Sequence, residues 1–191
     1  MKIKHAAIIS LALMLVISLV LAGSPAPTQA SDFNGDGVDD LVIGVPQEDL
    51  LGAVDAGMVD ILFGSKGAGI STAGAQYFQQ IWAGDLSEED DQFGHTIAVG
   101  NFNGDGYYDL AIGVPYEDVG SPEIDEAGAV HVIYGKSNGL DVLSSVFLTQ
   151  GGGLLQDEPE NWDTFGHSLA AADFNNDGYD DLAIGVPGED V

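Results

Sequence analysis

The chain has 191 residues, no cysteine and 31 acidic against four basic side chains, a formal net charge of −27. A charge of this sign excludes nucleic acid and anionic lipid as partners, because both would be repelled, and the missing thiols exclude a disulfide framework. With 45% hydrophobic residues the chain is also too apolar for the charge-dominated class that stays disordered.

Residues 1–30 read as a signal peptide. Lys2 and Lys4 form a basic start, residues 6–22 an almost unbroken apolar run, and "GSPAPTQA" ends in small and turn-forming residues. Cleavage after Ala30 is expected, which leaves every acid in residues 31–191 with Lys66 and Lys136 as the lysines. An uncleaved membrane anchor is the competing reading, since an apolar run of about 17 residues lies at the lower limit for crossing a bilayer. A lipid anchor is excluded, because "LAGS" places Ser24 where an acylated thiol would be needed.

From residue 31 onward the chain repeats. The acidic loops 32–40 ("DFNGDGVDD"), 101–109 ("NFNGDGYYD") and 173–181 ("DFNNDGYDD") each run into an apolar segment, "DLVIGVPQED", "DLAIGVPYED" and "DLAIGVPGED". A second apolar segment follows twice, "AGMVDILFG" from Ala56 and "AGAVHVIYG" from Ala127. A variable stretch, an acidic run and "FGHTIAVGNF" or "FGHSLAAADF" then lead into the next loop. Short segments rich in Val, Ile and aromatics, bounded by Gly, Pro and Asp, predict strands, about four to each repeat. In "DLAIGV" both alternating sets, Leu110, Ile112, Val114 and Ala111, Gly113, are apolar or small, which predicts a strand covered on both faces. The fold class is therefore all-β, in four-stranded antiparallel units that stack as propeller blades.

The combined pattern resembles the FG-GAP repeat family, the blade of the integrin alpha-chain propeller and of many secreted bacterial proteins. Phe93-Gly94 and Phe165-Gly166 match the FG element, and "IGVP" at 43–46, 112–115 and 184–187 matches the GAP element with Val in place of Ala. The resemblance covers residues 31–191 and implies a loop between the first and second strands of each blade that binds calcium. The predicted strands fill about two blades plus incomplete ends, whereas a closed propeller takes four to eight. A fragment of a longer product, or assembly of several copies, is the corresponding expectation.

The loops support calcium on their own chemistry, because Ca²⁺ takes six to eight oxygens and alternate residues of a tight loop can converge several. The candidate ligands are Asp32, Asn34, Asp36, the carbonyl of Val38 and Asp40; Asn101, Asn103, Asp105, the carbonyl of Tyr107 and Asp109; and Asp173, Asn175, Asp177, the carbonyl of Tyr179 and Asp181. Gly37, Gly106 and Gly178 follow the central Asp, where a positive φ would wrap the chain round an ion. An EF-hand is excluded, since Ile43, Ile112 and Ile184 stand where its closing Glu is required. Asx-rich turns without an ion are the competing reading. Asn101 opens the second loop with an amide, so that site is expected to be the weakest. The first loop lacks an FG strand ahead of it and is expected to be poorly anchored, with Asp173–Asp181 the firmer site.

His95 and His167 share a position after the FG pair, and a shared structural role is expected of them. The acid pairs Glu48-Asp49, Glu117-Asp118 and Glu189-Asp190 recur after each GVP and are expected in solvated loops at the blade edge. Trp82 and Trp162, with the acidic runs 87–91 and 157–160, differ most between repeats and mark candidate binding loops, or plain linkers. No nucleophile pattern accompanies these residues, so no enzyme activity is expected. The expectation is a secreted or cell-surface calcium-binding module for adhesion or protein interaction, with an extracellular protein or glycan ligand. The alternatives are the non-catalytic propeller part of a larger secreted hydrolase, or an acidic scaffold suited to high salt.

Overall fold

The computed structural model describes residues 31–151 and 157–189. The expected signal peptide at 1–30 and Asp190 lie outside the described residues. The strands are β1 (Leu41–Val45), β2 (Met58–Phe63), β3 (Ser71–Phe78), β4 (Thr96–Gly100), β5 (Asp109–Val114), β6 (Ala129–Lys136), β7 (Gly139–Leu148), β8 (Ser168–Ala172) and β9 (Asp181–Gly185), with a 3-10 turn at Gln80–Ala83 after β3. They form three sheets, ordered β1-β2-β3, β4-β5-β6-β7 and β8-β9, and every pairing within them is antiparallel. The second sheet is a complete four-stranded blade. By sequence register β1 and β9 correspond to β5, and β8 to β4, so the described residues hold one whole blade between two partial ones. No helix among them is long and apolar enough to cross a membrane.

The alternation in "DLAIGV" sets how the sheets stack. Leu110, Ile112 and Val114 of β5 join Phe33, Val59, Ile61, Phe78 and Phe93 in a core between the first two sheets. Ala111 faces the opposite way, into a second core with Ala98, Val130, Val132 and Phe165. All six residues of β5 are buried, as the sequence predicts. Large side chains on one face and small ones on the other let the third sheet come close. At Gly113 the approach is so tight that a Cβ would collide with the carbonyl oxygen of Gly166, and Gly44 stands in the same relation to Gly94. The FG and GVP elements are thus two halves of one backbone contact between neighbouring blades.

Phe93 and Phe165 are buried beside these contacts, each contributing on the order of 1.5–3 kcal/mol by leaving water. Their N–H groups donate to the carbonyls of Ala56 (2.9 Å) and Ala127 (2.8 Å) in the preceding repeat unit. His95 and His167 stack with ring centroids 5.1 Å apart, and Thr96 Oγ1 donates to the Gly166 carbonyl at 2.7 Å. Their common position therefore carries a packing role between β4 and β8.

Candidate functional site

Each acidic loop is a tight turn organised by its own carboxylates. In the first, Asp32 Oδ1 and Asn34 Oδ1 both accept from the Asp36 N–H, at 3.0 and 2.9 Å, and Asp32 Oδ2 accepts from Gly37 at 2.8 Å. Asp36 Oδ1 in turn accepts from Val38 at 2.9 Å. The third loop repeats this set with Asp173, Asn175, Asp177 and Tyr179, at distances of 2.8 to 3.1 Å. Gly37, Gly106 and Gly178 have φ of 83°, 91° and 93°, so the positive φ predicted after the central Asp is present. In the second loop Asn103 and Asp105 keep their places. Asn101 does not: its N–H donates to Asp180 Oδ2 at 2.7 Å, and its buried Oδ1 has no hydrogen-bond partner.

The ninth-position aspartates have a structural occupation besides any ligand role. Asp40 Oδ2 and Oδ1 accept from Phe33 and Gly64, both at 2.9 Å. Asp109 accepts from Phe102 at 2.8 Å and Gly135 at 2.9 Å. Each carboxylate clips its loop to the end of the second strand after it, β2 or β6. Burial raises the pKa of both groups against the lowering effect of these N–H donors, and the Asp32 and Asp36 charges add to the rise at Asp40. Asp181 accepts from Phe174 at 3.0 Å and from the Asn175 amide at 3.4 Å.

The first loop, expected to be poorly anchored, is held at both ends: Phe33 is fully buried in the first core and Asp40 is clipped to Gly64. A further contact was not legible in the sequence, because it joins different loops. The ring of Tyr107 covers Gly35, where a Cβ would lie 2.7 Å from it, and Tyr179 covers Gly104 in the same way. The recurrence of Tyr and Gly at fixed loop positions was the available signal.

The acids after GVP correct another expectation. Glu48 and Glu117 are buried, not solvated, while Asp49 is exposed and Asp118 half-buried. The turns after the second and third GVP point their first acid at the preceding repeat: Gln80 Nε2 donates to Glu117 Oε2, and Gln150 Nε2 to Glu189 Oε2 at 2.6 Å. Burial, then the charges of Asp91 and Asp85, push the Glu117 carboxyl up to about 9, and burial pushes Asp91 up to about 7. Trp82 and Trp162 are exposed, as binding loops or linkers would be. Trp162 and Tyr116 line an open cavity of about 590 Å³ whose remaining walls are largely acidic, from Glu88 to Asp91 and from Glu123 to Glu126.

The loop donors are all oxygens, carboxylate, amide and carbonyl, and suit a hard cation. Among the described residues no three carboxylates or imidazoles converge as a preformed metal centre. Comparison with known proteins bears on what the repeats are. The FG-GAP repeat model matches residues 28–62, 93–133 and 165–191. Phosphatidylinositol-glycan-specific phospholipase D of Bos taurus is 35% identical over 160 residues, 83% of this chain and 18% of that protein. Integrin alpha pat-2 of Caenorhabditis briggsae is 33% identical over 164 residues, 84% of this chain and 12% of that protein. Integrin alpha-PS5 of Drosophila melanogaster is 32% identical over 164 residues, 85% of this chain and 15% of that protein. The chain thus spans less than a fifth of the length of each of these relatives. With three matched segments covering more than half of its residues, and an FG-to-GVP contact at each blade junction, the chain belongs to the FG-GAP repeat family.

Proposed function

We propose that this chain is an extracellular, calcium-stabilised propeller segment that acts as an adhesion or protein-interaction module, with no catalysis of its own. The observation that carries the reading is the repeated loop, in which side-chain oxygens of Asp32, Asn34 and Asp36, of Asp173, Asn175 and Asp177, and of Asn103 and Asp105 gather on neighbouring backbone N–H groups. Those oxygens, with the carbonyls of Val38, Tyr107 and Tyr179 and the carboxylates of Asp40, Asp109 and Asp181, would hold the ion. The cation would supply positive charge to a chain that carries 31 acids. Likeness to integrin alpha chains supports an extracellular setting and a protein or glycan ligand. The acidic charge speaks against nucleic acid.

Calcium titrated into chelator-treated protein tests the metal. At a concentration tenfold above Kd each site adds about 1.4 kcal/mol, or roughly 3–6 °C in Tm for a domain of this size. An unchanged Tm at millimolar calcium would sink the claim. Likeness to the phospholipase D favours a second reading, the non-catalytic propeller of a larger secreted hydrolase. The reading frame downstream of Val191 separates the two: a catalytic domain supports the hydrolase, and further repeats support the binding module.

A further inference from the structure

We propose that the second and third acidic loops take up calcium as a coupled pair, with Asp180 and Tyr179 of the third loop positioning the second; the inference rests on the calcium reading above. The two loops meet at the backbone of Asn101. Its N–H donates to Asp180 Oδ2 at 2.7 Å, and its carbonyl accepts from the Asp180 N–H at 3.2 Å. Beside this clamp the Tyr179 ring covers Gly104, so closely that a Cβ there would collide with it. The third loop therefore grips the second at its opening residue and at its turn.

That grip replaces one that the second loop lacks. In the first and third loops the opening carboxylate, Asp32 or Asp173, accepts from two N–H groups of its own loop. The buried Oδ1 of Asn101 has no hydrogen-bond partner, so residue 101 is held from the neighbouring blade. In the second loop Tyr108 stands at the place of Asp180, with no carboxylate to offer the first. Between those two loops the ring contact recurs, Tyr107 over Gly35, while Asp32 is tied within its own loop. The first loop thus stands apart from the pair.

Tyr179 and Asp180 also sit where the third loop would hold its ion, next to two proposed ligands, the Tyr179 carbonyl and the Asp181 carboxylate. Holding calcium through these groups would fix the backbone that carries both the ring and the clamp. The second loop then meets a partner already ordered and loses less conformational freedom on filling, which is positive coupling. Coupling is reciprocal, so emptying either loop weakens the other by the same factor. The third loop, with Asp173, Asp177 and Asp181 against Asp105 and Asp109 in the second, is the one to fill first.

Calcium titrated into the metal-free, isotope-labelled full chain tests this by NMR, through the amide signals of Gly37, Gly106 and Gly178, one in each loop. Asp180→Ala removes the clamp, and Tyr179→Ala removes the ring but keeps the ligand carbonyl. Each is expected to raise the Gly106 midpoint at least about fivefold, with Gly37 and Gly178 moving less than about twofold. Asp180→Asn, which keeps an acceptor for the Asn101 N–H, should restore the parent midpoint. Asp173→Asn combined with Asp177→Asn, which empties the third loop, should raise the Gly106 midpoint by a similar factor and leave Gly37 in place. A parent-like Gly106 midpoint with the third loop emptied overturns the coupling. So does an equal shift of all three signals in the alanine variants, which a general loss of structure would give. Three signals unmoved at millimolar calcium overturn the calcium reading and the coupling with it. Should one alanine variant not fold, the other decides by the same readings.

Discussion

Asp109 gives the sharpest test of how these loops are held. Its two carboxylate oxygens accept the N–H groups of Phe102 and Gly135 in a fully buried position. Asp109→Ala strands both donors. At about 1–3 kcal/mol for each unpaired buried group the gross cost is about 2–6 kcal/mol. The buried carboxyl is itself held above its usual range, mainly by desolvation, so removing it gives part of this back and leaves a net loss of roughly 2–4 kcal/mol. Asp109→Asn keeps one acceptor and should lose roughly 1–3 kcal/mol. At the equivalent Asp181 the backbone partner among the described residues is the exposed Phe174, and in this chain Asp181→Ala should cost under about 1 kcal/mol. Urea unfolding in the presence of a chelator measures all three as midpoint shifts at constant m. Equal losses at positions 109 and 181, or a loss at 109 that appears only with calcium present, would refute the clip.

Stability should also fall on both sides of neutrality in chelator. The pKa of Glu117, raised by burial and by Asp91 and Asp85 from 4.5 to about 9, means that its contribution is complete below about 4.5 and lost as pH rises through about 9; Glu117→Gln should flatten that limb of a Tm-against-pH profile. His131, buried against Phe93 and Phe147, is lowered from 6.5 to about 4, so its contribution is complete above 6.5 and lost as pH falls through about 4; His131→Phe should remove the acid limb. Gly104→Ala, which drives a Cβ into the Tyr179 ring at φ 71°, should cost roughly 1–3 kcal/mol in urea unfolding, against about 1 kcal/mol for Gly106→Ala in open space. Equal losses would remove the ring contact from the account. Trp162→Ala, at a residue 61% exposed, should change stability by no more than about 0.5 kcal/mol in the same assay.

The strands with strong local signals were legible in order. "DLVIGV", "DLAIGV" and the two "AG…G" segments became β1, β5, β9, β2 and β6, because Val and Ile alternation and bounding Gly and Pro act within a few residues. β3 was harder to place. Its Ser71–Phe78 sequence, "STAGAQYF", is small and polar and largely exposed, and it pairs with β2 through cross-strand contacts that local patterning does not encode.

What the sequence determined by itself is the repeat: three oxygen-rich loops, the FG and GVP elements, and a strand with large residues on one face and small ones on the other. Tertiary structure decided everything that depends on which blade lies opposite. Glu117 looked like half of a solvated acid pair until the neighbouring blade placed Gln80 against it. The first loop looked unanchored until Phe33 entered the core and Gly64 met Asp40. Periodicity is carried by a short run of residues, whereas burial is a property of two surfaces brought together from distant parts of the chain.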